Sequence, residues 1–79
     1  MKLLNITDII KFGTKVEIIQ QDAYHLANRK NDKSIYVNDD YQYGNHREIE
    51  EFANYDVRMI TSKDNYLTIY VYKDGEING

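Results

Sequence analysis

The clearest pattern in the chain is a two-residue alternation over residues 66–72, where Leu67, Ile69 and Val71 share one face. The opposite face carries Tyr66, Thr68, Tyr70 and Tyr72. This period is typical of a strand, and apolar or aromatic residues on both faces indicate a central strand or an exposed tyrosine stripe. Residues 55–61 are also β-rich and are joined to 66–72 by a polar stretch, so the pattern predicts a hairpin spanning 56–72.

Two further strands are predicted in the first half of the chain. Residues 14–21 alternate between apolar and polar positions, with Val16 and Ile18 on one face. Residues 34–37 are rich in β-formers, and we expect them to pair with residues 16–19.

The segments around these strands have weaker patterns. Residues 22–33 fit either a strand or a helical turn, and we favour a strand. Residues 38–44 are polar and bear tyrosines, which is typical of a loop. The tail at 74–79 is expected to fray.

Two short helices are predicted, over residues 5–12 and 46–53. Asn5 is a candidate N-cap for the first helix, and Gly13 suits the left-handed position that ends it. Asn45, with a glutamate three residues later, has the spacing of a capping box for the second helix. In the second helix, Ile49, Phe52 and Ala53 line one side, and Glu50 and Glu51 face away from it.

These elements predict one α+β domain over residues 1–79, with a small antiparallel sheet of about four strands and two short helices. The core is expected to come from aliphatic residues: Ile10, Val16, Ile18, Val57, Ile69 and Val71. A core of this size supports a net stability of about 3–5 kcal/mol.

Charge is unevenly distributed along the chain. The net charge is −3 overall, but residues 38–56 alone carry −5. We predict that this acidic, tyrosine-bearing segment binds a basic surface on another protein, with tyrosines as anchors and carboxylates in place of nucleic-acid phosphates. The candidate residues are Asp39, Asp40, Tyr41, Tyr43, Glu48, Glu50, Glu51 and Tyr55. The alternative is a solvated helix face.

Two other binding modes compete with this prediction. The first is nucleic-acid binding by basic residues beside stackable aromatic rings. Its candidate residues are Arg29, Lys30 and Lys33, with Tyr24 and Tyr36. Three positive charges in an acidic chain are only a weak indication of nucleic-acid binding, so direct binding is less favoured. The second is a structural subunit that self-associates through Tyr66, Tyr70 and Tyr72.

The residue types argue against catalysis and metal binding. Cysteine is absent, and the two histidines, His25 and His46, lie in no catalytic signature. An EF-hand template beginning at Asp39 needs oxygen ligands at its third and fifth positions, where this chain has Tyr41 and Tyr43. We therefore predict a protein that is not an enzyme and needs no cofactor or metal.

The sequence also predicts a compartment. No apolar run approaches the roughly 20 residues that cross a bilayer. The lack of cysteine fits a reducing environment. We expect a cytoplasmic protein with no membrane segment.

About half of the chain resembles the small accessory proteins of low-GC bacteriophages and mobile elements. The resemblance rests on residues 6–18, 55–60 and 67–72, and on Ile, Lys, Asn and Tyr supplying 33 of the 79 residues, all with AT-rich codons. Anti-CRISPR inhibitors are proteins of this type and are similar in size, acidity and α+β pattern. Several of them occlude the DNA-binding groove of a Cas nuclease. The resemblance implies an inhibitor of a host defence nuclease in the bacterial cytoplasm, and it carries over no site residue.

Overall fold

The computed structural model describes residues 1–21 and 32–72 of the chain, and four strands within them form one sheet. The strands are β1 (Lys15–Gln20), β2 (Lys33–Asn38), β3 (Asp56–Lys63) and β4 (Tyr66–Tyr72), in the order β2-β1-β4-β3. Short helices cover one face of the sheet, so the α+β class is confirmed. The prediction of a strand over 22–33 and the predicted fraying of 74–79 fall largely on residues outside the described ranges.

The sheet is mixed, which corrects the predicted antiparallel arrangement. β1 and β4 run parallel at its centre, with Ile18 beside Ile69, while the outer pairs β1–β2 and β3–β4 are antiparallel. The chain crosses from β2 to the far edge before β3 begins, so β4 returns beside β1 in the same direction. Alternation specifies which residues face the core but carries no information on strand direction, so the sequence pattern missed this feature.

Both predicted strand pairings are present. Ile18 is paired with Tyr36 in β1–β2, and the hairpin of β3 and β4 spans 56–72 as expected. Its loop is shorter than predicted, because β3 continues to Lys63 and only Asp64 and Asn65 turn the chain. Asp64 has a φ of 55°, a left-handed conformation that Asp tolerates better than most residues.

The first helical segment begins earlier than predicted. It consists of two 3-10 turns, η1 (Leu3–Asn5) and η2 (Thr7–Ile9), and Asn5 does not cap either of them. The segment is instead anchored by the Leu3 N–H, which donates to the carbonyl of Tyr55 at 2.9 Å. Gly13 adopts the expected positive φ, 88°, but in a separate turn after the helix.

The second helix, η3 (Tyr43–Phe52), is also a 3-10 helix and starts three residues before the predicted boundary. A capping box is present, but it joins Gln42 and Asn45: the Gln42 N–H donates to Oδ1 of Asn45 at 2.8 Å. Because a 3-10 helix has three residues per turn, residues three apart lie above one another. One such row contains Tyr43, His46, Ile49 and Phe52.

The core lies between the sheet and these helices. Its fully buried centre contains Val16, Ile18, Ile69 and Val71 from the two central strands. Leu3, Ile6, Ile10, Tyr41 and Ile49 cover them from the helical side. Five of the six predicted core residues are buried, and Val57 is partly buried against the cluster. Among the described residues, no helix is long and apolar enough to cross a membrane.

Candidate protein-binding surface

Tyr41 lies in the core, so it is ruled out as a surface anchor for a partner. Its N–H donates to the carbonyl of Thr14 at 3.0 Å, and its carbonyl accepts from the N–H of Gly13 at 2.8 Å. These main-chain bonds hold the residue against the turn before β1, and its side chain is 0% exposed. The hydroxyl of Tyr41 and Nδ1 of His46 are 2.5 Å apart in a hydrogen bond.

Burial also sets the protonation of Tyr41. It raises the pKa of the Tyr41 hydroxyl to about 12, with further contributions from Tyr36 and from the charges of Glu48 and Asp8. The neutral phenol is therefore favoured in the folded chain up to strongly alkaline pH.

Tyr43 is two residues further on and is 74% exposed. Its ring contacts Phe12 edge-on, with ring centroids 6.5 Å apart and an angle of 80° between the planes. A second edge contact joins it to His46 at 5.3 Å. Phe12 is itself 51% exposed. We call Phe12, Tyr43 and His46 the aromatic surface.

A cleft opens beside the aromatic surface along η3. Its volume is about 230 Å³, and it is lined by Tyr43, Gly44, His46, Arg47 and Glu50. Two aromatic rings, one guanidinium and one carboxylate thus converge on a single depression. Tyrosine and arginine are enriched in protein interfaces, where their side chains combine large contact area with polar groups.

The predicted acidic residues surround the aromatic surface only in part. Asp39 and Asp40 are exposed near the Gly13 turn, where Asp39 pairs with Lys15 at 3.7 Å and Asp40 accepts from Gln42 at 2.8 Å. Glu50 lines the cleft beside Tyr43.

The other candidates in this segment lie apart from the cleft. Glu48 and Glu51 fall on a different row of η3, and Glu48 accepts a hydrogen bond from Tyr36 at 2.7 Å, toward β2. Tyr55 is half-buried and packs edge-on against Phe52 at 5.4 Å, so it supports the fold and is not a surface anchor. The predicted segment therefore does not form one continuous patch.

The predicted nucleic-acid site is only partly described. Tyr24, Arg29 and Lys30 lie outside the described residues, and Lys33 is exposed at the start of β2. Tyr36 is half-buried against the core. Burial and the bond to Glu48 raise the pKa of its hydroxyl to about 12. A ring held in this way is poorly placed to stack on a base.

Tyr66, Tyr70 and Tyr72 lie on the sheet face opposite the core and are half-buried. Lys15 Nζ lies 4.7 Å from the ring centroid of Tyr66, and the guanidinium of Arg58 lies 5.3 Å from that of Tyr72. The Tyr66 hydroxyl donates to Glu17, and this hydrogen bond is the main cause of its raised pKa. Charged side chains thus cover much of the tyrosine stripe.

The described residues show no arrangement suited to metal binding: no three His, Asp or Glu side chains come together there. Ser34 Oγ donates to Glu17 at 2.9 Å, so that hydroxyl is bonded to a carboxylate on the neighbouring strand and not to a histidine.

Sequence reasoning missed Phe12, which it assigned to the first helix. The spacing of apolar residues gave no signal for its exposure, because Ile6 and Ile9 are three residues apart and yet Ile6 is buried and Ile9 is exposed. Ile9 is 77% exposed, the most exposed of the large apolar side chains that the structure describes.

Comparison of the chain with protein-family models, with curated proteins and with solved structures found no match.

Proposed function

We propose that the protein acts by binding another protein through the aromatic surface, and that its partner presents a basic face. The observation that carries this proposal is the exposed ring pair of Phe12 and Tyr43, with carboxylates beside it. Exposed aromatic side chains that contact each other form an apolar patch, and such patches mark interaction sites more often than scattered apolar residues do.

The ring of Tyr43 is partly ordered before any partner arrives. Phe12 contacts it on one side and His46 on another, which restricts the rotamers that it can adopt. Ordering a free side chain on binding costs about 0.5–1.5 kcal/mol, so a preorganised ring binds with a smaller entropic cost. This property favours Tyr43 as the central anchor of the interface.

The charges beside the anchor favour a basic partner. Glu50 lines the cleft beside Tyr43, and Asp39 and Asp40 are exposed near the Gly13 turn. All three belong to a segment whose net charge is −5. Complementary charge raises the association rate and selects among partners. A protein surface that binds nucleic acid carries the required positive charge.

An inhibitor of a host defence nuclease, similar to an anti-CRISPR protein, is the specific form of this proposal that we favour. The aromatic surface and the carboxylates beside it would occupy the groove of the nuclease that otherwise holds DNA. Such a complex would form in the cytoplasm of the bacterial host, where the target nuclease works. The protein needs no catalytic group for this function, because occlusion is sufficient.

Binding and cleavage assays with purified Cas nucleases test the proposal. We expect the immobilised protein to bind a nuclease, double-stranded DNA to compete with that binding, and DNA cleavage to fall in proportion to occupancy. A gel-shift assay of the protein with single- and double-stranded DNA is the control, and we expect no shift. Failure to bind any nuclease in the panel would contradict the specific proposal, whereas a DNA shift by the protein alone would favour the nucleic-acid alternative.

A further inference from the structure

The cleft beside the aromatic surface combines an open aromatic ring with an unpaired carboxylate. Tyr43 and Glu50 both line this cleft, and Tyr43 is 74% exposed. Within the part of the chain that the structure describes, the carboxylate of Glu50 forms no hydrogen bond and no ion pair. A ring face and a carboxylate are the two kinds of group that attract a positively charged side chain.

Two other tyrosines of the protein show how such rings are used elsewhere in the fold. Lys15 Nζ lies 4.7 Å from the ring centroid of Tyr66, whose hydroxyl donates to Glu17. The guanidinium of Arg58 lies 5.3 Å from the ring centroid of Tyr72. Each of these rings is thus covered by a cation from the same chain.

Tyr43 has no such cation of its own. Among the described residues, no lysine or arginine lies over its ring, which contacts only Phe12 and His46, both edge-on. Arg47 lines the same cleft, but in the described ranges it forms no ion pair with Glu50. A cationic side chain of another molecule can therefore approach the ring of Tyr43 and the carboxylate of Glu50 together.

We propose that the cleft binds one arginine side chain of the partner, with its guanidinium against the ring of Tyr43 and hydrogen-bonded to the carboxylate of Glu50. This inference rests on the proposed function, since it names the group on the partner's basic face that the aromatic surface takes. Arginine fits better than lysine because its planar guanidinium stacks on a ring and donates two parallel hydrogen bonds to a carboxylate. Arg47 places a like charge in the same cleft, which disfavours a run of basic side chains or a divalent metal ion there.

An NMR titration of the full-length ¹⁵N-labelled chain with a short peptide tests this site. The probe is a glycine–serine peptide with blocked ends and one central arginine, and matched peptides carry lysine or the uncharged citrulline at that position. We expect the amides of Gly44, Arg47 and Glu50 to shift, with a dissociation constant on the order of 10 mM at low ionic strength. The lysine peptide should bind at least about threefold more weakly, and the citrulline peptide should show no saturable binding. No saturable shift with the arginine peptide, or equal affinity for the arginine and lysine peptides, would overturn the proposal.

Substitutions in the chain locate the bound arginine. Glu50→Gln should weaken binding of the arginine peptide at least about threefold, whereas Glu51→Gln, which removes the same charge on another row of η3, should change it less than about 1.5-fold. Tyr43→Leu should weaken binding by a similar factor, and Tyr43→Phe, which keeps a ring, should not. Arg47→Gln should strengthen binding about twofold, because it removes the like charge.

Equal effects of Glu50→Gln and Glu51→Gln, or weaker binding by the Arg47→Gln variant, would contradict this site. No nuclease enters the titration. Failure to bind a nuclease therefore counts against the proposed function alone, whereas failure to bind the arginine peptide overturns this inference alone.

Discussion

Tyr41 and Tyr43 are separated by one residue and both rings contact His46, yet the structure buries one ring and exposes the other. Tyr41 is fully buried and bonded to His46, whereas Tyr43 is exposed and contacts Phe12. Both lie in an acidic, polar stretch, and from composition alone both are candidate anchors. Their difference arises from backbone bonds between Tyr41 and the turn before β1, which fix the direction of one ring and leave the next one outside.

Substitutions at these two positions should separate effects on stability from effects on binding. The inner side of the segment completes the core, so changes there should alter the free energy of unfolding. The outer side has little packing to lose, so changes there should alter affinity at nearly constant stability. Two experiments on stability therefore compare the same substitution at Tyr41 and at Tyr43.

The largest expected effect is that of Tyr41→Ala on stability. Removing a fully buried aromatic side chain costs about 3–5 kcal/mol, which is comparable to the whole net stability of about 3–5 kcal/mol expected for a domain of this size. We therefore expect Tyr41→Ala to be largely unfolded in a urea titration followed by circular dichroism. Tyr43→Ala is the control and should lose less than about 1 kcal/mol, since it gives up only exposed ring contacts. Equal destabilisation by the two variants would contradict the placement of Tyr41 in the core and of Tyr43 on the surface.

A second effect appears at alkaline pH. The unfolded chain releases the Tyr41 proton near pH 10, whereas the folded chain holds it until about pH 12. Between those values the unfolded state binds fewer protons, so stability is complete below about pH 10 and falls as the pH rises toward 12. Tyr36, with a pKa raised to about 12, acts in the same direction.

Urea titrations at several pH values test whether Tyr41 causes the loss of stability above pH 10. Tyr41→Phe should flatten the loss of stability above pH 10, because it keeps the ring and removes the ionising group. At neutral pH the same variant should lose only about 0.5–1.5 kcal/mol, the net contribution of one hydrogen bond. Tyr43→Phe is the control at the exposed position and should follow the wild-type curve. A Tyr41→Phe curve as steep as that of the wild type would show that another group causes the alkaline transition.

These experiments bear on how far the sequence predicts the molecule. The alternation of Leu67, Ile69 and Val71 correctly predicted a strand with one buried aliphatic face, because a period of two is set locally by the pleat. The positive φ of Gly13 was also predicted from a local feature, its position directly after the first helical pattern. The direction of β4 beside β1 was not predictable in this way, since it depends on where the crossover after β2 carries the chain.

The binding surface was less predictable than the fold. Exposed aromatic residues are recognised only once the buried face of each element is known, and the 3-10 geometry of η3 was not expected. With three residues per turn, Tyr43 lies above His46 and Glu48 falls on another row. The longer period of an α-helix aligns the residues of this segment differently. The assignment of Tyr41 failed because its position depends on bonds to Gly13 and Thr14, nearly thirty residues away in sequence.

The smallest expected effect concerns the acidic residues beside the cleft. Glu50 lines it next to Tyr43, whereas Glu51 is exposed on another row of η3. Charges at the rim of an interface alter mainly the association rate and its salt dependence. Glu50→Lys should therefore slow association with a basic partner several-fold at low salt, and Glu51→Lys should do so less. Stopped-flow association at two ionic strengths measures this, and a larger effect for Glu51→Lys would place the interface on the other side of η3.

The lifetime of the complex with a bound nuclease shows whether Tyr43 is the anchor of the interface. Tyr43→Ala should shorten that lifetime by a factor equivalent to about 1–2 kcal/mol or more, because an aromatic anchor at the centre of an interface acts mainly on dissociation. Val37→Ala is the matched control, since Val37 is an exposed apolar residue on β2, away from η3. Surface plasmon resonance of both variants gives the dissociation rates. We expect fast dissociation for Tyr43→Ala and a wild-type rate for Val37→Ala. Equal dissociation rates for Tyr43→Ala and the wild type would show that Tyr43 is not an anchor of the interface.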